Sequence, residues 1–224
     1  MSTSGAPEDR ADGFFVVGLV GRTGSGKSTV ARALAAGGAV VIEGDALGHQ
    51  VTDQDPEVRA ALMAEYGNDV YGRNGALDRR RVAARVFSDP EARARLDRLV
   101  HPRIVERIWD RLERLRREGF EGVVVIDAAL LLEWGLERCC DAVLAVSAPE
   151  AEQLLRLRRA RGWSEEESRA RFSAQRSERS FAEAADLTLE NRGSVRELEQ
   201  AAREAVEVLR RRRVEGRGSR REPC

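Results

Sequence analysis

The stretch that decides the fold is a glycine-rich loop near the amino terminus, Gly21-Arg22-Thr23-Gly24-Ser25-Gly26-Lys27-Ser28-Thr29. It fits the phosphate-loop pattern G-x-x-x-x-G-K-[ST], with an apolar run before it at residues 14–20 and a helical pattern after it. Glycines let the backbone turn its N–H groups inward toward phosphates, and the positive end of the following helix attracts the same charge. The loop therefore predicts a nucleotide-binding α/β domain.

Individual loop residues have distinct expected roles in binding a triphosphate. Lys27 should reach the outer phosphates, and the hydroxyl of Ser28 should hold a magnesium ion. Lys27 is the only lysine in the chain, and arginine stands at all other lysine or arginine positions. A planar guanidinium does not replace a compact ammonium, which favours a specific role for Lys27 over an incidental lysine in a turn. The loop residues expected to bind ATP are Gly21, Gly24, Ser25, Gly26, Lys27, Ser28 and Thr29.

The composition argues against several classes of protein. Charged residues make up 34% of the 224 residues and the formal net charge is zero, which argues against a general nucleic-acid or membrane binder. No apolar run is long enough to cross a bilayer, and residues 1–10 lack the apolar segment of a signal peptide. We therefore expect a cytoplasmic protein of one domain, with a disordered tail at residues 1–12.

Acidic residues stand at the ends of two further predicted strands. Residues 39–42 precede Glu43 and Asp45, and residues 122–127 end in Asp127. The carboxyl ends of parallel strands open onto the ligand crevice, so these acids should lie at the mouth of the site. Asp45 can orient an attacking hydroxyl, and Asp127 can reach the magnesium through water. The alternatives are that Asp45 caps the next helix and that Asp127 only ends its strand.

Helical patterns connect the strands. Residues 55–118 carry apolar side chains at helical spacing and predict an insertion that binds the acceptor, with helices opening at 77–79 and at His101-Pro102. Residues 151–183 are dense in arginine and break at 162–163, where Ser164 and Glu167 form a capping box. Arginine-bearing helices at such a break suit a lid that closes over phosphates.

With these residues located, the chain resembles the dephospho-coenzyme A kinase family from residue 17 to about 193. The family's opening motif G-L-T-G-G-I-G-S-G-K-S is similar to residues 18–28, in which Arg22 and Thr23 are unusual. Its D-x-P-L-L-F-E is similar to residues 127–133, with Ala129 in place of proline. Further motifs fall on residues 41–45 (V-I-D-A-D, with Glu43 as its first acid), 77–79 (L-D-R), 86–87 (V-F), 101–104 (H-P-x-I) and 185–193 (A-D-x-x-I-x-N-x-G).

The lid motifs of the family are matched with one departure. Its Q-x-x-R falls on Gln153 and Arg156. Four residues after that arginine the family tends to carry another, whereas this chain has Ala160, flanked by Arg159 and Arg161. The resemblance therefore leaves open which arginine of the lid takes that place. The downstream R-x-x-x-Q is met by Arg171 and Gln175.

The resemblance implies a fold and a reaction. The expected fold is a P-loop kinase, an α/β three-layer sandwich with a central parallel five-stranded sheet, a helical substrate-binding insertion and a helical lid. The expected reaction uses ATP, with Mg²⁺ as cofactor, to phosphorylate the ribose 3′-hydroxyl of dephospho-coenzyme A, the final step of coenzyme A biosynthesis. ATP and dephospho-coenzyme A are the expected partners of a monomer or weak oligomer.

The roles implied for single residues follow the matched motifs. The residues expected to act in catalysis are Lys27, Asp45 and Arg156. Beyond the loop, ATP is expected to contact Arg159 and Asn191. The acceptor is expected to contact Glu43, Asp45, Arg79, His101 and Pro102. The kinase domain is expected at 13–210, with its core at 13–54, 119–150 and 184–210, the insertion at 55–118, the lid at 151–183 and a basic tail at 211–224.

Two other functions remain open on sequence alone. Another P-loop small-molecule kinase, acting on a nucleoside or nucleotide, would share the loop, the lid and the crevice acids. A nucleotide-gated switch or RNA-associated protein would instead use the arginine-rich tail. The chain has no N-K-x-D motif of a GTPase, and Ala128 stands where hydrolytic P-loop motors carry a glutamate, so transfer to a bound hydroxyl is favoured.

Overall fold

The structure is a computed structural model that describes residues 13–86 and 89–216. The predicted tail at 1–12, Phe87 of the V-F motif and residues 217–224 of the basic tail lie outside the described residues. All strands of the described chain join one parallel sheet in the spatial order β2-β3-β1-β4-β5. The strands are β1 (Phe14–Val20), β2 (Val40–Glu43), β3 (Gly122–Asp127), β4 (Ala142–Ser147) and β5 (Leu187–Glu190).

The register of the sheet brings the acids of two strands together. β1 is buried along its whole length and lies between β3 and β4, as its unbroken apolar run predicts for a central strand. β2 pairs with β3 so that Glu43 lies opposite Asp127. Because all strands run in the same direction, both acids and the phosphate loop after β1 lie at one edge of the sheet.

Helices cover both faces of the sheet and give the predicted three layers. Alternate residues of β1 point to opposite faces: Val17 and Leu19 pack against α1 and α9, and Val16 and Val20 pack against the helical insertion. The insertion thus shares one hydrophobic cluster with the sheet. Along the described chain the helices are α1 (Lys27–Ala36), α2 (Gly44–Gln54), α3 (Pro56–Tyr66), α4 (Arg79–Val86), α5 (Pro90–Arg117), α6 (Glu150–Arg161), α7 (Glu165–Ser173), α8 (Glu178–Ala184) and α9 (Val195–Val214).

The long helix α5 corrects one prediction from the sequence. It begins at Pro90, where the side chain of Asp89 caps it, and it continues through Pro102, so the predicted helix start at His101-Pro102 is wrong. An interior proline costs about 3 kcal/mol because it removes one backbone N–H and crowds the preceding turn. Burial of one helix face on both sides of Pro102, from Val100 to Ile108, outweighs that cost.

The predicted lid consists of three helices that follow β4. The break after α6 falls at Gly162, which takes a positive φ of 68°, and Ser164 with Glu167 forms the predicted capping box of α7. α8 then leads into β5. Across the described part of the chain, no helix combines the length and apolar character that crossing a bilayer requires. The division into core, insertion and lid stays a prediction.

Candidate active site

Backbone geometry at the phosphate loop requires glycine. Gly21 and Gly26 have φ of 143° and 116°, a region that other residues rarely adopt. A Cβ atom at Gly21 would lie 2.3 Å from the carbonyl oxygen of Val146, and one at Gly26 would lie 2.4 Å from Nδ2 of Asn191. Gly26 is the N-cap of α1 and has no side chain to occupy the first N–H groups of that helix. These N–H groups therefore remain able to bind an anion.

A cavity of about 710 Å³ lies over this loop, and we call it the loop cavity. Of the residues predicted to bind ATP, Gly24, Gly26, Lys27, Ser28 and Thr29 line it. Gly21 and Ser25 are buried and do not line the loop cavity, and at Gly21 the closely packed surroundings leave no room for a side chain. Other residues that line the loop cavity include Arg22, Thr23, Arg32, Glu43, Asp45, Asp127, Arg156, Arg161, Trp163, Arg171 and Gln175.

Asp127 is the least exposed of the three acids that line the loop cavity. Its Oδ1 lies 3.7 Å from Nζ of Lys27, and both side chains are only 18% exposed. Burial raises the pKa of Asp127, and the nearby carboxylates of Asp45 and Glu43 raise it further, while Lys27 partly offsets both effects. Asp127 therefore interacts with two other carboxylates and one ammonium, an arrangement that an additional cation would stabilise.

Ser28 and Asp127 supply the protein oxygens that a magnesium ion would need. Both line the loop cavity, and hydroxyl and carboxylate oxygens are the donors that this hard cation prefers. In the ranges 13–86 and 89–216, no group of three or more histidine, cysteine or acidic side chains is arranged to hold a metal. The donors fit Mg²⁺, which usually takes few protein ligands and completes its shell with phosphate and water.

Arg156 and Asn191 hydrogen-bond to the backbone carbonyls of the phosphate loop. Nη1 of Arg156 donates to the carbonyl oxygens of Gly24 and Ser25 at 3.4 and 3.3 Å, and Nη2 donates to that of Asn191 at 3.1 Å. Nδ2 of Asn191 donates to the oxygen of Ser25 at 2.7 Å. Asn191 is buried and does not line the cavity, so its contact with ATP stays a prediction. Because these bonds occupy the loop carbonyls, they favour the inward orientation of the loop amides.

The arginines of the lid do not all face the loop cavity. Arg159 is exposed and does not line it, whereas Arg161 and Arg171 do. The guanidinium carbons of Arg161 and Arg171 lie 4.8 and 4.1 Å from the ring centroid of Trp163. Stacking of both cations on one indole favours their positions at the rim of the cavity. Arg161 is thus the neighbour of Ala160 that the structure brings to the site.

A second cavity of about 470 Å³ adjoins the first, and we call it the helical cavity. Its wall is mostly apolar, with side chains from the insertion and from the segment after β3. Asp45 and Ala129 line both cavities, so this carboxylate stands where the two meet. Asp45 lies in the first turn of α2, whose N-cap residue is Glu43, so the alternative that Asp45 caps the helix is wrong. The other polar residues of the wall are His49, Thr52, Arg79, Asp97 and His101.

Arg79 enters the helical cavity with its charge already paired. Its Nη2 donates to both carboxylate oxygens of Asp53 at 3.1 Å and to Oγ1 of Thr52 at 3.1 Å. Burial acts to raise the pKa of Asp53, but the N–H of Leu77 and the guanidinium of Arg79 outweigh it, and the net shift is downward. The pair is therefore held in its charged form, and other donors of Arg79 remain for a ligand.

His101 lines the helical cavity, whereas the next residue, Pro102, does not. Nε2 of His101 is 3.3 Å from Oδ1 of Asp97, and its ring meets the ring of Trp134 edge to face at 5.3 Å. Pro102 is exposed and does not line the helical cavity, and Glu43 lines only the loop cavity of the two. The predicted acceptor contacts of Pro102 and Glu43 stay predictions.

Sequence comparison assigns the chain to a group of kinases. A family model described as dephospho-CoA kinase matches residues 15–197. The chain is 41% identical over 197 residues to the dephospho-CoA kinase of Thermobifida fusca, which covers 88% of this chain and 96% of that protein. It is 36% identical over 199 residues to the dephospho-CoA kinase of Chlorobaculum tepidum, covering 87% of this chain and 95% of that protein.

Comparison with solved structures supports the fold. The crystal structure of TT1252 from Thermus thermophilus aligns with a TM-score of 0.73 at 36% identity, covering 87% of this chain and 97% of that one. At 15% identity, shikimate kinase from Acinetobacter baumannii aligns with a TM-score of 0.51 and covers 89% of this chain and 95% of that one. The second likeness bears on the fold alone, which is that of P-loop kinases.

Proposed function

This chain belongs to the dephospho-CoA kinase family, and we propose that it performs that family's reaction, in which ATP transfers its γ-phosphoryl group to dephospho-coenzyme A. The accepting group is the 3′-hydroxyl of the ribose. The reaction is a phosphoryl transfer to an alcohol, and it completes coenzyme A.

The observation that carries the proposal is the position of Asp45 between two cavities of different chemistry. The loop cavity offers the amides of a phosphate loop, the ammonium of Lys27 and the guanidinium groups of the lid. The helical cavity is mostly apolar, with Arg79 and His101 among its few polar groups. A carboxylate that lines both can contact the acceptor hydroxyl while that hydroxyl faces the terminal phosphate. Such positioning accounts for a large part of catalysis in phosphoryl transfer.

Each group at the loop cavity has a role in the transfer. The loop amides and Lys27 stabilise charge on the β- and γ-phosphate oxygens, and Arg161 and Arg171 contact the equatorial oxygens of the transferring group. Arg156 fixes the loop backbone through its carbonyls. Asp45 orients the hydroxyl and accepts its proton late, since the transition state is loose. Bound Mg²⁺, held by Ser28 and through water by Asp127, would neutralise charge between the phosphates.

The helical cavity binds the acceptor chiefly by shape. Its apolar wall suits the nucleobase and the chain of dephospho-coenzyme A, and exclusion of water there protects ATP from hydrolysis. Arg79 provides a fork of donors for a phosphate oxygen of the acceptor. We further propose that the enzyme acts in the cytoplasm as a monomer or weak oligomer, which cell fractionation and light scattering would test.

An acceptor screen with coupled ADP detection tests the function. Dephospho-coenzyme A, AMP and adenosine are compared at equal concentrations with Mg²⁺ and ATP, and the product is checked by phosphorus NMR for a 3′-phosphomonoester. We expect kcat/KM for dephospho-coenzyme A to exceed the others by about 10³-fold or more, because the other two lack groups that fill the helical cavity. Preference for adenosine or AMP, or a phosphate at another hydroxyl, would overturn the proposal.

A further inference from the structure

Arg22 is a phosphate-loop residue whose side chain contacts the lid. Its Nη2 donates to Oε2 of Glu150 at 3.0 Å, and its Nε lies 3.7 Å from Oε1 of Glu178. Its guanidinium carbon is 4.0 Å from the centroid of the Phe172 ring. The side chain is only 12% exposed. We call Arg22, Glu150, Phe172 and Glu178 the loop–lid bridge, since they join the loop to the first residues of α6 and α8 and to the buried face of α7.

The partners of Arg22 are themselves held in place. Glu150 also accepts a hydrogen bond from Nη1 of Arg169 at 2.6 Å. Glu178 accepts one from Nε2 of the fully buried Gln153 at 2.6 Å. Charge-assisted bonds are stronger than neutral ones, and burial reduces their screening by salt. The Arg22 side of the loop–lid bridge is shielded in this way, whereas Glu150 is 42% exposed.

One donor of the bridge is unsatisfied in the described structure. Nε of Arg22 is buried and has no hydrogen-bond partner among the described residues. The 3.7 Å that separates it from Oε1 of Glu178 exceeds hydrogen-bond distance by a few tenths of an ångström. A small closing movement of α8 toward the loop would complete this bond, and a buried donor without a partner favours such a movement.

The lid helices carry three of the cations that line the loop cavity. Arg156 and Arg161 are on α6 and Arg171 is on α7, so the position of the bridge determines where these guanidinium groups stand above the loop. Gln175 makes a second contact between the lid and the loop. Its side-chain amide accepts from the backbone N–H of Thr23 at 3.1 Å and donates to the hydroxyl of Thr23 at 3.3 Å. The loop residues that differ from the resembled family thus both contact the lid.

We propose that Arg22 is a positioning residue that holds the lid against the phosphate loop and so determines affinity for ATP. The inference rests on the proposed function of the same site. Holding the lid in place before ATP arrives reduces the ordering that binding must otherwise bring about. Substitution of Arg22 should change the affinity for ATP rather than the affinity for the acceptor, because no residue of the loop–lid bridge lines the helical cavity.

The test measures ATP and acceptor separately. In Arg22→Met we expect the Kd of a non-hydrolysable ATP analogue with Mg²⁺, determined by calorimetry, to rise about tenfold, as does KM for ATP. KM for dephospho-coenzyme A and kcat should change less than about threefold. Arg22→Lys keeps the charge but loses the planar fork that contacts both acids, so its Kd should lie between those of wild type and Arg22→Met.

A double-mutant cycle identifies the partner. Glu178→Gln should raise the Kd of the analogue about threefold, and it should add little further loss in Arg22→Met, because the contact is already gone. The control is the exposed pair of Arg179 and Glu183 on the same helix, with atoms 2.7 Å apart and no contact to the loop. Arg179→Met and Glu183→Gln should leave the Kd of the analogue within about twofold.

Several outcomes would overturn the inference. One is an unchanged Kd of the analogue in Arg22→Met, and another is strictly additive losses in the cycle with Glu178. A lower Tm with reduced kcat and normal ATP affinity would show a merely structural role. The analogue measurement needs no acceptor, so a wild-type protein that fails to phosphorylate dephospho-coenzyme A would refute the proposed function while leaving the test of Arg22 valid.

Discussion

The loop cavity and the helical cavity meet at Asp45, but charged groups line the first and apolar side chains line most of the second. The first is built around one short loop whose glycines determine the backbone, and charged side chains from the loop, the strand ends and the lid line it. The second is enclosed mostly by apolar side chains from α4, α5 and the segment after β3, with polar residues of α2 on one side. We infer that one cavity stabilises charge as it develops and that the other places a neutral reacting group and excludes water.

This difference has a kinetic signature. Substitution of a loop-cavity group that contacts the transferring phosphoryl group, such as Lys27, should act mainly on kcat, since it removes interactions that strengthen in the transition state. Substitutions in the helical cavity should act mainly on KM for the acceptor, since they remove interactions that the ground state already makes. Asp45 should follow the first pattern although it lines both cavities.

The largest effect is expected for Lys27→Ala. We expect kcat to fall about 10³-fold or more with saturating substrates, because the ammonium that stabilises the transferring group is lost. Lys27→Arg should lose nearly as much, since a planar guanidinium does not fit where a compact ammonium stands. Coupled ADP release measures both, and circular dichroism checks the fold. Activity in Lys27→Ala within about tenfold of wild type would break the assignment of charge stabilisation to this cavity.

Asp45→Asn should have the second largest effect, and Glu43→Gln is its matched control. The carboxamide keeps the size of Asp45 but neither accepts a proton nor orients the hydroxyl in the same way, so kcat should fall about 10²-fold. Glu43 is two residues away and lines only the loop cavity of the two, so its substitution should change kcat less than about fivefold. Equal losses in both variants would show that general negative charge, rather than position between the cavities, is what matters.

A change confined to the helical cavity should separate its role from that of the loop. Arg79→Gln is expected to raise KM for dephospho-coenzyme A about 30-fold, equivalent to about 2 kcal/mol for a charged hydrogen bond, with KM for ATP unchanged. Arg81→Gln is the control on the same helix, because Arg81 is exposed and lies outside both cavities. A rise in KM for ATP in Arg79→Gln would show that the two cavities are not functionally distinct.

The sequence predicted the loop cavity better than the helical one. Lys27, Ser28 and Asp127 line one cavity, because a phosphate loop is a local structure and parallel strands align their ends, while their roles stay predictions. The three layers and the five parallel strands were also confirmed. Local motifs carry this information, so they can be recognised without knowing how distant segments pack.

Contacts between distant segments could not be predicted from the sequence. Arg22 pairs with Glu150, which is 128 positions away, and no spacing rule links them. Trp134 lines the helical cavity and packs against His101, a contact that no sequence motif predicts. On α6 the family pattern indicated Ala160 and its neighbours, but only the folded structure distinguishes Arg161, which lines the loop cavity and stacks on Trp163, from Arg159.

The smallest effect concerns the support of Arg79 rather than its charge. Asp53→Asn keeps Arg79 but weakens the pair, whose side chains are 26% and 38% exposed, so a loss of about 1 kcal/mol in unfolding free energy is expected at neutral pH after allowance for screening by solvent. KM for the acceptor should change less than in Arg79→Gln.

The pH dependence of that loss gives a sharper test than its size. The pKa of Asp53 is lower in the folded protein than its ordinary value of 3.8, so the pair stabilises the fold above that pH and ceases to do so as the pH falls through the folded pKa. Urea unfolding should therefore show wild type and Asp53→Asn converging in acid, whereas Glu183→Gln, from an exposed pair, should match wild type throughout. A difference between wild type and Asp53→Asn that persists undiminished in acid would mean that the pair contributes by packing rather than by charge.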